Sequence, residues 1–99
     1  MSQGAIYRSR DGKDLLCRVQ TDLGLETAMI LYAPVMPRSA VQNAIPKLYI
    51  PCEINGESHL IIMSELIALP PYEIGDVVDD AKDKRDAIIA AVDLLVMGF

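Results

Sequence analysis

Histidine occurs once, at position 59, cysteine twice and tryptophan not at all in this chain of 99 residues. A single imidazole leaves metal sites built on paired histidines without a partner. It also gives any Ser-His-Asp or Cys-His arrangement one possible base. His59, set in an apolar stretch, reads instead as a partly buried strand residue. Cys17 and Cys52 lie far apart with no Cys-rich framework around them, which favours buried free thiols in a reducing compartment over a disulfide. Cations are also scarce: 9 Lys and Arg stand against 14 Asp and Glu, a net charge of -5. That balance opposes nonspecific nucleic-acid binding, which needs clustered Lys and Arg to displace counterions from phosphates. No charged segment followed by an apolar one opens the chain, so nothing suggests export and the cytoplasm is the expected location. The final apolar run is far shorter than the ~20 residues that cross a bilayer, and no membrane contact is expected.

Signatures of catalysis are missing as well. There is no P-loop, no dinucleotide fingerprint and no Gly-rich elbow around Ser64-Glu65. Asp79-Asp80 and Asp83-Asp86 could be paired carboxylates, but neighbouring aspartates before a helix more simply cap and solvate it. The chain is expected to be no enzyme and to carry no metal and no cofactor.

What is present is apolar. Hydrophobic residues make up 52% of the chain and the mean hydropathy is +0.26, a surplus that predicts either a dense core or a covered surface patch. A homodimer would cover such a patch by using it twice. The length suits one domain, residues 1–99, with one core. Ala5 to Tyr7 reads as a short edge strand, joined through the Asp11-Gly12 turn to an alternating strand from Leu15 to Thr21. Leu15, Cys17 and Val19 fall on one side of that strand, and Leu16, Arg18 and Gln20 on the other. Leu23-Gly24-Leu25 follows as an exposed apolar loop. Ala28 to Ala33 predicts a central strand that stops at Pro34, and Ser39 a cap for one helical turn over Ala40 to Ala44. Leu48–Ile54 and Ser58–Met63 flank Asn55-Gly56, a hairpin turn signature that sets Cys52 opposite His59, Ile50 opposite Ile61 and Tyr49 opposite Ile62. Both faces of that hairpin are apolar, so both are expected to be covered. Leu66 to Leu69 leads into Pro70-Pro71, and Tyr72 to Ile74 reads as one more short strand.

The last segment predicts a helix from about Asp80 to Met97, with Asp79 and Asp80 at its positive end and an Asp80–Lys84 pair one turn apart. Ile88, Val92 and Leu95 form one apolar stripe, Ile89 and Val96 a second, with Asp93 the charge among them. Two apolar faces need two coverings, and the sheet supplies one. Gly98 is an ordinary helix stop, and it leaves Phe99 and its carboxylate as an apolar hook with an anionic tip. That ending reads either as a contact device or as a side chain returned to the chain's own core.

Val19-Gln20-Thr21-Asp22-Leu23, the Ile54-Asn55-Gly56-Glu57-Ser58 hairpin, Leu69-Pro70 and the ending Ala91-Val92-Asp93-Leu94-Leu95-Val96-Met97-Gly98-Phe99 together resemble the CcdB family of toxins from bacterial toxin–antitoxin modules. The resemblance implies an α+β, mainly β fold: an SH3-like, partly open antiparallel barrel with a C-terminal α-helix. It implies a homodimer that poisons DNA gyrase by binding its A subunit, and a disordered CcdA-like antitoxin that wraps the toxin. Carried over by position, the gyrase contact comprises Asp93, Val96, Met97, Gly98 and Phe99, with Leu23 and Gly24 as the loop. Members resembling the best-known toxin end in Trp-Gly-Ile, where the Trp stacks on a gyrase arginine. This chain has Met97-Gly98-Phe99, and Asp93 stands where the family has Asn. Arg8, Arg10 and Lys13 form a small basic loop that could steer an acidic antitoxin or be a solvated hairpin tip. Two alternatives stay open: a MazF-type RNA-cleaving toxin using Arg8, Arg18 and Thr21, and a decayed relative that binds antitoxin without poisoning gyrase.

Overall fold

The computed structural model describes residues 2–98. Its strands are β1 (Ala5–Ser9), β2 (Leu15–Arg18), β3 (Ile30–Pro37), β4 (Tyr49–Ile54), β5 (Glu57–Ile62), β6 (Ile67–Leu69) and β7 (Ile74–Asp80), and helix α1 (Arg85–Met97) follows them. They form one antiparallel sheet in the order β4-β5-β3-β2-β1-β7, with β6 paired to β3. The sheet curls until its ends approach: Pro51, Cys52 and Glu53 face Asp80, Ala81 and Asp83 across a cleft of about 370 Å³. The result is the expected α+β, mainly β architecture, a partly open barrel with a C-terminal helix.

The turn and the register of the hairpin are as read, in strands that run Tyr49–Ile54 and Glu57–Ile62, but the expected cover on both faces is only partly found. Asn55 and Gly56 both take positive φ, 53° and 79°, the turn whose twist matches its flanking strands. Cys52 pairs with His59, Ile50 with Ile61 and Tyr49 with Ile62. Ile50, Cys52, Ile54 and Ile61 point into the barrel. On the other face Leu60 and Ile62 are buried while Pro51 and Glu53 are exposed, so β5 is covered on both sides and β4 is not. β4 is an edge strand, which is where a proline is tolerated. His59 is buried, its Nδ1 lying 3.0 Å from the Glu57 carbonyl.

Alternation divides the apolar residues between two cores. Ile6, Cys17, Val19, Ala33 and Val35 line the barrel interior, where α1 seats Ile88 and Ala91. Ala5, Tyr7, Leu16, Ile30, Tyr32 and Ile74 pack on the outer face, with the Tyr7 and Tyr32 rings edge to face at 6.1 Å.

Five expectations need correction. β1 is not an edge, because β7 pairs along it. The sequence hides β7: Gly75 and three aspartates break its apolar pattern, and Tyr72, read as strand, lies in a 3-10 turn over Pro71–Glu73. β3 does not stop at Pro34. It pairs with β6 up to Tyr32 and with β5 from Val35, so Pro34 sits in the gap between partners, where no ladder bond on that edge calls for its missing N–H. Ser39 caps no helical turn over Ala40–Ala44; a 3-10 turn at Arg38–Ala40 is all that forms, without a side-chain cap. Finally α1 starts at Arg85, not Asp80, since Asp79 and Asp80 belong to β7 and a 3-10 turn spans Lys82–Lys84.

Both cysteines are free and buried. Burial raises the Cys17 thiol from 9.0 to about 12 and the Cys52 thiol from 9.0 to about 11. Each therefore stabilises the fold fully below the unfolded value of about 8.5, and that contribution is lost as pH climbs through the folded values. Melting temperature should fall as pH rises from about 9 to 11, and a Cys17→Ala/Cys52→Ala variant should show a shallower fall, read by circular dichroism at each pH. For the helix seat, Ile88→Ala should cost about 2–5 kcal/mol and Val96→Ala should stay within about 0.5 kcal/mol, measured by urea denaturation.

Candidate functional site

Helix α1 has thirteen residues, and its buried side chains are Ile88 and Ala91. Val92 is half-buried. The second apolar face finds no cover: Ile89 is 40% exposed and Val96 78%, with Met97 beside them at 61%. Of the first stripe, Leu95 escapes burial as well, at 43%. Gly98 ends the helix in the left-handed conformation at φ 83°, its N–H donating to the Leu94 carbonyl at 2.9 Å. The stop read from sequence is thus in place. The reading of Phe99 lies outside the described residues.

Two clefts flank this end of the helix, and Asp93 lines both. One, of about 710 Å³, separates α1 from β4 and is lined by Tyr49, Pro51, Ala87, Ala90 and Leu94. The small side chains Ala87 and Ala90 leave it open and apolar. The other, of about 260 Å³, sets Ile89, Val92 and Asp93 against Val19, Gln20 and Leu31. Asp93 itself is exposed, so its charge stays wet.

The loop bearing Leu23 and Gly24 leaves β2 just beyond Gln20, and so springs from the wall opposite Asp93. Leu23 is 58% exposed. Gly24 donates its N–H to Asp22 Oδ1 at 2.9 Å. That bond, with the positive charge of Arg18 adding to it, holds the Asp22 carboxyl below the usual range. Asp93, Val96, Met97 and Gly98 share the last two turns of α1. Of the remaining candidates, Arg10 and Lys13 are exposed on the β1–β2 turn, whereas Arg8, read as part of that basic loop, is an exposed residue of β1 paired with Leu15. Arg8 and Arg10 line a separate cleft beside Ile74, Gly75 and Asp76. Asp11 sits among them, its carboxyl lowered chiefly by the Ser9 hydroxyl, which donates to it at 2.6 Å.

Arg18 departs from expectation. Placed with Leu16 on the outer face of β2, it is 1% exposed. Its Nε donates to the Gln20 carbonyl at 2.8 Å and Nη2 to that of Thr21 at 3.3 Å. A guanidinium so committed is not displayed to an RNA groove. Leu25, read with Leu23 and Gly24 as an exposed apolar loop, is 64% exposed as expected, and Met29, read as part of the strand from Ala28, lies outside β3 and is 47% exposed, which widens the loop's apolar surface.

Among the described residues no group of three or more His, Cys, Asp or Glu could hold a metal ion, and no helix is long and apolar enough to cross a membrane. Among curated proteins none matches the chain at a significant level. The sequence profile of the family described as CcdB protein matches residues 3–98, which takes in every strand, the displayed loop and the whole of α1. With a barrel, a terminal helix and a profile match that agree from end to end, the chain belongs to the CcdB family of toxins from toxin–antitoxin modules.

Proposed function

We propose that this toxin poisons DNA gyrase by docking the end of α1 and the Leu23-Gly24 loop onto the A subunit, and that a CcdA-like antitoxin neutralises it. The observation that carries the reading is the uncovered apolar end of α1, where Val96 is 78% and Met97 61% exposed beside the exposed Asp93. Apolar side chains held rigidly on a helix are suited to the buried centre of a protein interface. The same surplus of uncovered apolar surface supports a homodimer, a two-fold pair using one patch twice. Action is by binding, without catalysis, metal or cofactor, and in the cytoplasm, where gyrase works.

The Met97-Gly98-Phe99 ending sets the strength of the contact. Without a stacked Trp the chain forgoes roughly 0.5–2 kcal/mol of cation–π attraction, about two- to thirtyfold in affinity. Met97, exposed and polarizable, recovers part of it by burial. Supercoiling by purified gyrase, titrated with the parent and with Met97→Trp, should show stronger poisoning by the variant. No gain from the Trp refutes the stacking argument. Removal of the last three residues should abolish gyrase-linked DNA breaks in induced cells. Breaks that persist refute the docking surface, and growth unaffected by the intact chain identifies a decayed toxin.

For the antitoxin the basic turn is the steering element. Arg8, Arg10 and Lys13 stand exposed against the acidic balance of the chain, and such a patch speeds encounter with an acidic disordered segment. Reversing all three charges should slow association with the cognate antitoxin, read by surface plasmon resonance at low and high salt. An unchanged association rate refutes the steering role.

A further inference from the structure

Arg18 is a buried charge whose place in the fold is unexplained by packing. It is 1% exposed, its Nη1 has no hydrogen-bond partner, and neither has the hydroxyl of the buried Tyr32. The positive charge of Arg18 acts on both Tyr7 and Tyr32, opposing the upward push that burial gives their phenols. Its charge is also felt by the Asp22 carboxyl. A cation in that position is costly, and an apolar residue of the same volume would fit the outer core with less penalty.

What the guanidinium does hold is the root of the displayed loop. Its planar fork reaches two successive carbonyls, those of Gln20 and Thr21, where the chain leaves β2. Among the described residues no backbone–backbone hydrogen bond falls between Thr21 and Met29; the last rungs are Val19 and Gln20 N–H to the Leu31 carbonyl. Side chains do the closing instead. Gln20 Nε2 donates to Thr27 Oγ1 at 3.0 Å and its Oε1 accepts from the Leu31 N–H at 3.2 Å. Thr27 Oγ1 in turn donates to the Met29 carbonyl at 2.5 Å. Gln20 is therefore gripped at its main chain by Arg18 and clasps the returning limb with its amide. Everything between, including exposed Leu23 and Leu25, hangs from that clasp.

We infer that Arg18 is a positioning residue for partner recognition: from inside the fold it fixes the Gln20–Thr21 backbone and thereby pre-organises the Leu23–Leu25 loop against its protein target. This rests on the proposed docking surface and adds the element that keeps its loop in one shape. A loop ordered before encounter loses less freedom on binding, so the effect falls on complex lifetime.

Arg18→Met removes the fork and the buried charge together while filling similar space. By hydrogen exchange on the full chain, the hydrogen-bonded amides at the root of the loop, those of Val19, Gln20, Gly24 and Leu31, should exchange roughly tenfold faster or more, with those of β4 and β5 unchanged. Arg18→Lys, which keeps the charge but not the fork, should give an intermediate acceleration. It decides the matter if Arg18→Met does not fold. Loop exchange equal to the parent in the folded variants, or acceleration spread evenly through the core, overturns the inference. In gyrase binding, Arg18→Met combined with Leu23→Gly should dissociate no faster than the worse single variant, since both act through one loop. Additive effects overturn the inference. A parent chain that does not bind gyrase overturns the proposed target and leaves the exchange result to decide the role of Arg18.

Discussion

The seating of α1 in the curled sheet is the contact on which the rest depends. A strand order that ends in β4 on one side and β7 on the other cannot close by hydrogen bonds alone, and the helix fills the interior that the gap would open to water. Ile88 and Ala91, a turn apart, are the side chains that do so. Because only that narrow stripe is accepted, the remaining apolar residues of the same helix are forced outward. The exposed tip is thus a direct consequence of how the barrel is plugged.

Two kinds of support meet at that tip. α1 carries Val96 and Met97 on hydrogen-bonded backbone ended by Gly98, whereas Leu23 and Leu25 ride on a loop shaped by side chains. Apolar elements held by different means therefore stand on either side of the cleft between Gln20 and Asp93. Such a surface matches a protein target better than a small molecule, since neither flanking cleft brings together convergent titratable groups.

Legibility in the sequence followed the range of the interaction. Asn55-Gly56 and Gly98 were readable because a residue's own backbone preference decides them. The β4–β5 register was readable because a two-residue turn fixes it. Pro34 misled because its tolerance depends on β3 changing partners midway, which no local pattern records. β7 was hidden because an edge strand with exposed Asp76 and Val77 shows no buried period. Arg18 was placed on the right face, but its burial depends on Tyr7, Tyr32 and a carbonyl pair supplied by the loop.

The two free margins of the sheet carry a last consequence. β4 is interrupted by Pro51, and β7 presents Asp76, Asp79 and Asp80 along its length. Proline and like charges at a sheet margin discourage a foreign segment from adding itself as a further strand. Self-stacking into fibres is blunted at both ends, even in a chain this rich in apolar residues.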